Sequence, residues 1–161
     1  MPQRLQISVI GAAQGEAEIL RDAEEVGRRI AEAGAVLVCG ARTDVMEAAS
    51  KGAAQAGGTV VGILPTLSTD DANPYVTHVV ATGIGEARNL AVVASGAAVI
   101  AVGGEWGTLS EIAYARKLGR PVVAIQSWAL RNRSGTDLGI VEAGSPEEAV
   151  NAALGAAEAQ S

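Results

Sequence analysis

The chain has 161 residues, a formal net charge of −6 and a hydrophobic content of 48%. Its length suits one domain with a real core, and the acidic balance without any basic run argues against nucleic acid as a partner. One cysteine excludes an internal disulfide and a cysteine metal cluster, and we expect no metal site. With neither a signal-like start nor about 18 uninterrupted apolar residues, we expect no membrane association and a cytoplasmic protein.

The first half of the chain alternates short β-branched runs with longer amphipathic segments, which is typical of a parallel sheet covered by helices. Apolar runs predict strands at 5–10, 36–39 and 59–64, and helical spacing predicts helices at 16–33 and 45–56. Gly34 and Gly57 follow the two helices and end them. The polar segment 66–74 then forms a connection or a lid.

The second half continues the same alternation. It predicts strands at 76–80, 97–102, 121–125 and 139–142, and helices at 86–94 and from Thr108 onward. Ser145 followed by Pro146 starts a last helix, and residues 156–161 are expected to fray. The pattern predicts a single domain over residues 1–161. Its fold class is α/β, a three-layer sandwich with a mostly parallel, Rossmann-like sheet and helices on both faces.

Glycines mark the carboxyl ends of the predicted strands, where ligands of open α/β sheets bind. Gly11 follows the first strand and Gly40 the second, and the turns at 81–88 and 103–111 follow later strands. No clean G-x-G-x-x-G follows the first strand and no Walker-type loop occurs, so a dinucleotide site has weak support.

The glycine-rich segment 103–111 is the most informative of these turns. Gly103, Gly104 and Gly107 lie between an apolar strand and a helix, where backbone can approach a ligand and free N–H groups can bind phosphate. The alternative is a capping box, in which Thr108 and Glu111 satisfy each other's backbone donors at a helix start. A cap needs only these two residues, so the glycines favour a ligand.

Arg88 stands at the start of a predicted helix, where a cation opposes the macrodipole at a cost of up to ~1 kcal/mol. Such a placement suggests that it serves a ligand anion or a carboxylate, and the alternative is a solvated surface arginine. Glu111 adds a carboxylate beside the predicted anion site. A carboxylate is unfavourable beside a phosphate, so its presence suggests catalysis or recognition of a ribose in addition to phosphate binding.

Five segments occur together in order across about residues 5–125: 7–11, 45–53, 62–65, the pair Arg88-Asn89, and 103–111. Jointly they resemble the LOG-like Rossmann family, once labelled lysine decarboxylase-like. That family includes cytokinin-activating phosphoribohydrolases and molybdenum-cofactor carrier proteins. The Arg-Asn pair looks most like the carrier-related branch, because the phosphoribohydrolases usually show Arg-Lys there.

The resemblance implies a phosphate-bearing nucleotide or a pterin-type ligand, with the molybdenum cofactor as one candidate and no required cofactor. It also implies a homodimer or homotetramer. The implied ligand-binding residues follow the strand ends: Gly11, Gly40, Arg42, Gly103, Gly104, Gly107 and Thr108. The alternative that the family offers is a phosphoribohydrolase, in which Arg88 and Glu111 would cleave the base–ribose bond of a nucleoside 5′-monophosphate.

The sequence departs from the phosphoribohydrolases at two places, and both departures favour ligand binding over catalysis. Glu105 replaces a glycine and adds negative charge near the expected phosphate, and the usually glycine-rich turn at 41–44 is Ala-Arg-Thr-Asp. Lysine decarboxylase activity is rejected, because pyridoxal phosphate needs a Schiff-base lysine and Lys51 and Lys117 fall within predicted helices.

Three further residues have less support as site residues. His78 and Cys39 are expected to be structural. Trp106 is expected either to stack on a planar ligand or to anchor a subunit interface.

Overall fold

A computed structural model describes residues 3–160 as one parallel sheet with helices on both faces. The strands are β1 (Gln6–Gly11), β2 (Val36–Cys39), β3 (Val60–Leu64), β4 (His78–Ala81), β5 (Ala98–Val102), β6 (Val122–Ile125) and β7 (Ile140–Glu142). The helices are α1 (Ala17–Glu32), α2 (Val45–Gln55), α3 (Arg88–Ser95), α4 (Trp106–Lys117) and α5 (Pro146–Glu158). Short 3-10 turns occupy Thr69–Asp71 and Gly85–Ala87. The predicted Rossmann-like α/β sandwich is confirmed.

The order of the strands places a topological switch point beside β1. The sheet runs β4-β3-β2-β1-β5-β6-β7, so the chain builds outward from β1 in one direction and then returns to add β5 on its other side. Every neighbouring pair among the described residues is parallel, and Gly11 at the end of β1 is in register with Val102 at the end of β5. Ligands of such sheets bind in the crevice outside this point.

Two apolar layers bury both faces of the central strands. Helices α1, α2 and α5 cover one face around Val26, Ile30 and Ile100, and α3 and α4 cover the other around Val93 and Ile112. Strands β2, β5 and β6 are buried along their whole length, which explains their continuous β-branched runs in place of alternation. No helix of the described chain is long and apolar enough to cross a membrane.

The structure corrects the start of α4. This helix begins at Trp106, and its N-cap residue Glu105 makes no side-chain capping bond. Thr108 therefore lies inside the first turn, so the interpretation of Thr108 and Glu111 as a capping box is wrong. The physical reason is that the Gly103-Gly104 turn, with φ of 59° and 126°, reverses the chain early enough for the helix to start before Thr108.

The last helix begins where the sequence predicts. The Ser145 hydroxyl accepts a hydrogen bond from the Glu148 amide at 3.2 Å, with Pro146 at the first helical position. Helix α5 continues to Glu158 with Ala157 buried, so it extends into the segment for which fraying is expected. Ser161, the last residue of that segment, lies outside the described residues.

Candidate functional site

A cleft of about 350 Å³ opens at the carboxyl ends of β1, β2, β3 and β5. Most of the predicted site residues line it: Gly11, Gly40, Arg42, Arg88, Gly107, Thr108 and Glu111. Gly103 and Gly104 do not. Gly103 packs toward Ile19 and Gly104 toward Thr108, so they shape the turn that leads into α4.

The first turn of α4 forms one wall of the cleft. Thr108 is buried, with 3% of its surface exposed, and Gly107 precedes it on the cleft wall. A Cβ at Gly107 would meet no protein atom within 4 Å, so packing within the chain does not explain a glycine here. The N–H groups of this turn have no partner inside the helix, which makes it a favourable place for an anion.

Arg88 is the first residue of α3, and only 6% of its surface is exposed. The interpretation of Arg88 as a solvated surface arginine is therefore wrong. Its Nη1 donates to the Ile63 carbonyl at 3.2 Å, whereas its Nε has no hydrogen-bond partner. It forms no direct ion pair with a carboxylate of residues 3–160. Burial lowers the pKa of Arg88 from its usual value. An unsatisfied buried guanidinium costs free energy, so an anionic ligand in the cleft would relieve it.

Glu111 is a half-buried carboxyl on the cleft wall of α4. Burial raises the pKa of Glu111 to about 7; the charge of Arg88 opposes this increase, and that of Glu86 adds to it. At neutral pH the carboxyl is therefore protonated in a substantial fraction of molecules. In that form it can donate a hydrogen bond, which an ordinary carboxylate cannot.

The charges around the cleft are mixed. Arg42 and Arg88 face the carboxylates of Glu86, Glu105 and Glu111 across the same space. Asn89, the partner of Arg88 in the sequence motif, also lines the cleft, and its Nδ2 donates to Glu86 Oε2 at 3.2 Å. The cleft thus offers cations and backbone amides for an anion, together with carboxylate oxygens that accept from N–H or O–H groups.

The turn between β2 and α2 reaches the cleft in a strained backbone conformation. Ala41 has φ of 64°, and Asp44 has φ of 57° with ψ of −117°. Each non-glycine residue in such a region costs on the order of 1–3 kcal/mol and persists only where its surroundings hold it. The turn lacks the glycines that the resemblance leads us to expect, and Ala41 and Asp44 adopt positive φ without them.

Sequence reasoning missed Trp128, which supports the turn before α4. Its Nε1 donates to the Glu105 carbonyl at 3.2 Å, and its ring packs on Trp106 with centroids 5.4 Å apart. Trp106 does not line the cleft and is 76% exposed. Nothing in the local sequence pairs the two tryptophans, because they follow different strands, β5 and β6, whose neighbouring ends bring them together.

The other residues singled out from the sequence lie elsewhere. Cys39 is fully buried next to Ser50, and His78 on the edge strand β4 is exposed, with Nδ1 2.9 Å from the Thr77 hydroxyl. Lys51 pairs with Glu24 at 3.0 Å, and neither Lys51 nor Lys117 lines the cleft. Residues 3–160 hold no group of three or more His, Cys, Asp or Glu side chains that could bind a metal ion.

A second hollow, of about 500 Å³, lies between α1 and α2. Four of its five charged residues, Glu24, Glu25, Arg28 and Glu32, are paired with one another or with Lys51 and Arg29, and the fifth is Arg21. This arrangement is a set of surface ion pairs, so the cleft at the switch point is the better candidate site.

Comparison with known proteins places this architecture in a family. The sequence model of the SLOG cluster4 family matches residues 4–150. An uncharacterized protein of Archaeoglobus fulgidus is 44% identical over 147 residues, which cover 91% of this chain and 93% of that protein.

Two solved structures are similar over nearly their whole length. The molybdenum cofactor binding protein from Rippkaea orientalis is 34% identical, with a TM-score of 0.86 and coverage of 95% of this chain and 97% of that one. The molybdenum cofactor carrier protein from Chlamydomonas reinhardtii is 31% identical, with a TM-score of 0.84 and coverage of 96% and 98%.

Proposed function

The chain belongs to the SLOG cluster4 family, and from that premise we propose that it binds a small phosphate-bearing ligand of the nucleotide or pterin type. The molybdenum cofactor is the favoured cargo. The observation that carries this proposal is the cleft at the switch point, where the first turn of α4 and the buried, incompletely hydrogen-bonded Arg88 share one space. Structural similarity to a molybdenum cofactor binding protein and to a molybdenum cofactor carrier protein supports the choice of cargo.

The phosphate group would bind at Gly107 and Thr108. The amides of this turn supply donors, the helix dipole favours negative charge there, and the missing side chain at Gly107 lets phosphate oxygens approach the backbone. Arg42, in the turn between β2 and α2, and Arg88, at the start of α3, would supply positive charge to the same cleft. Both phosphate binding by backbone amides and bidentate binding by a guanidinium are common in phosphate sites.

The ring of the ligand would account for the carboxylates. Glu86, Asn89 and Glu105 line the cleft. The two glutamates repel a phosphate but accept hydrogen bonds from amino and ring N–H groups. Purine and pterin rings carry such donors. A ligand with an anionic end and a donor-rich ring therefore fits the mixed charge of the cleft better than inorganic phosphate does.

Titration calorimetry with purified protein tests this function. The probes are inorganic phosphate, AMP, and molybdenum cofactor released from a molybdoenzyme. We expect AMP or the cofactor to bind, and the double variant Gly107→Ala with Thr108→Ala to lose binding while its circular dichroism spectrum stays unchanged. If no phosphate-containing probe binds, or if the variant binds equally well, the proposed site is wrong.

A second candidate function is supported by one specific observation. Arg88 and Glu111 line the same cleft, and the pKa of Glu111 lies near 7, which suits a group that exchanges protons at neutral pH. In a phosphoribohydrolase the base–ribose C–N bond breaks, water adds its oxygen to C1′, and a proton goes to the base. Glu111 would orient that water or stabilise oxocarbenium charge, and Arg88 would hold the phosphate.

Release of free base distinguishes the two candidates. Purified protein is incubated with AMP and with an N6-substituted analogue, and the products are separated by chromatography. The carrier function predicts binding without turnover. Robust turnover that Glu111→Gln eliminates would establish the hydrolase instead, because loss of a catalytic carboxylate costs orders of magnitude in rate.

Self-association and a cytoplasmic location are part of the same proposal. Large apolar side chains are exposed on α3, on α4 and at the C-cap of α4, and each is more than 40% accessible: Leu90, Trp106, Tyr114 and Leu118. An exposed apolar surface of this kind on two adjacent helices favours packing against a second copy.

A further inference from the structure

The strained turn between β2 and α2 is held in place by a residue from a distant segment. Asn73 lies in the polar loop after β3, and only 8% of its surface is exposed. Its backbone N–H donates to the Ala41 carbonyl at 2.8 Å, and its side-chain Nδ2 donates to the Arg42 carbonyl at 2.9 Å. Two consecutive carbonyls of the turn therefore bind the same asparagine.

The other polar atom of the Asn73 side chain fixes the orientation of that side chain. Oδ1 accepts from the Tyr75 amide at 3.1 Å, so the side-chain amide is hydrogen-bonded at both ends. The direction of the Nδ2 donor is then determined by the loop that leads into β4. Because this orientation allows little rotation, Asn73 constrains where the backbone of Arg42 can lie.

Arg42 needs such support because its side chain has no hydrogen-bond or ion-pair partner within residues 3–160. It is exposed, forms no ion pair within residues 3–160, and lines both the main cleft and an adjoining hollow of about 280 Å³. A long, unpaired arginine on a mobile turn would lose much conformational entropy when it binds an anion. A fixed backbone reduces that loss, since only the side chain remains to be ordered.

We propose that Asn73 is a positioning residue: by binding the carbonyls of Ala41 and Arg42 it directs Arg42 toward the anionic group of a ligand in the cleft. This inference rests on the proposed function, because it assumes that an anion binds there. It also gives the segment 66–74 a defined role. The loop is fastened to the cleft wall by Asn73, and this attachment does not fit a freely opening lid.

A double-mutant cycle separates positioning from general loop stability. AMP binding is measured by calorimetry for wild type, Asn73→Ala, Arg42→Gln and the double variant. One net hydrogen bond contributes up to about tenfold in affinity, so we expect Asn73→Ala to weaken AMP binding by roughly three- to tenfold. The double variant should bind no more weakly than Arg42→Gln alone, because Asn73 acts through Arg42.

Two further variants make the result specific. Asn73→Asp keeps the acceptor for Tyr75 but replaces the donor with an oxygen that faces the Arg42 carbonyl, so it should weaken AMP binding at least as much as Asn73→Ala. Asn132→Ala removes another loop asparagine, whose Oδ1 accepts from the Ser134 amide far from the cleft, and should leave binding unchanged. Unchanged AMP binding in both Asn73 variants, or additive effects in the cycle, would overturn the proposal.

Hydrogen exchange distinguishes failure of this inference from failure of the proposed function. Amides of residues 42–46 should exchange faster in folded Asn73→Ala than in wild type, with or without ligand. If exchange there is unchanged, Asn73 does not hold the turn and the inference fails. If exchange accelerates but wild type binds neither AMP, inorganic phosphate nor molybdenum cofactor, the proposed function fails, and the ligand-directing role of Asn73 fails with it.

Discussion

Gly40 leaves the space that the guanidinium of Arg88 occupies. A Cβ at residue 40 would collide with Nη1 of Arg88 and would lie 2.7 Å from Sδ of Met46. The two residues come from different elements, the end of β2 and the start of α3. The guanidinium of Arg88 therefore fills space that is open because the residue following β2 has no side chain.

The first prediction follows from that contact. Gly40→Ala should displace the guanidinium of Arg88 and, because flexible side-chain ends can move aside, lower the free energy of unfolding by no more than about 1 kcal/mol. It should also weaken binding of AMP. Urea denaturation and calorimetry measure the two effects. The control is the same substitution in an Arg88→Ala background, where most of the clash is gone and Gly40→Ala should lower the free energy of unfolding by less. An equal loss in both backgrounds would show that the guanidinium does not occupy this space.

The second prediction separates stability from binding at Gly107. A methyl group there enters open space and replaces a helical glycine, so Gly107→Ala should raise the free energy of unfolding by up to about 1 kcal/mol. The same methyl should block phosphate and reduce AMP affinity. Thermal denaturation and calorimetry test this pair of opposite effects.

Gly155→Ala is the matched control. Gly155 is also a helical glycine with open space around its Cβ position, but it lies in α5, away from the cleft. This variant should gain stability in the same way and bind AMP as wild type does. Equal binding by Gly107→Ala would mean that the first turn of α4 is not the phosphate site.

The third prediction concerns the pH dependence of stability through Glu111. Its pKa is raised from 4.5 to about 7 on folding, so between these values the folded state holds more protons than the unfolded state. The stabilising contribution of the protonated group is complete below pH 4.5 and is lost as the pH rises through 7. By linkage this contribution amounts to roughly 3 kcal/mol.

Denaturation curves at several pH values check this sign. Wild type should lose stability relative to Glu111→Gln as the pH increases from about 4.5 to 7, and the difference should be constant above about pH 8. A difference that is constant across the whole range would show that Glu111 titrates normally and is not desolvated.

The fourth prediction is that the chain associates through α3 and α4. Light scattering at micromolar concentration should give at least the mass of a dimer. Tyr114 in the last turn of α4 and Leu118 at its C-cap are four residues apart and both exposed, so Tyr114→Glu combined with Leu118→Glu should give a monomer that keeps its helical content. A monomeric wild type would refute this prediction, and an unchanged oligomer in the variant would place the interface elsewhere.

The sequence by itself determined the sheet and the place of the cleft. Buried parallel strands need continuous apolar runs, and the runs at β2 and β5 are short, rich in β-branched residues and followed by glycine, so the local pattern was enough to predict them. Parallel strands end at the same edge, which is why turns far apart in the chain could be assigned to one site before their contacts were known.

Only the tertiary structure decided the environment of each side chain in that site. The guanidinium of Arg88 is buried in space that Gly40 leaves open, and the pKa of Glu111 depends on how much water the surrounding elements exclude. Asn73 reaches a turn 31 residues away, for which no local periodicity gives a signal. Periodicity reports which face of an element is apolar, whereas desolvation and long-range hydrogen bonds arise only when separate elements pack together.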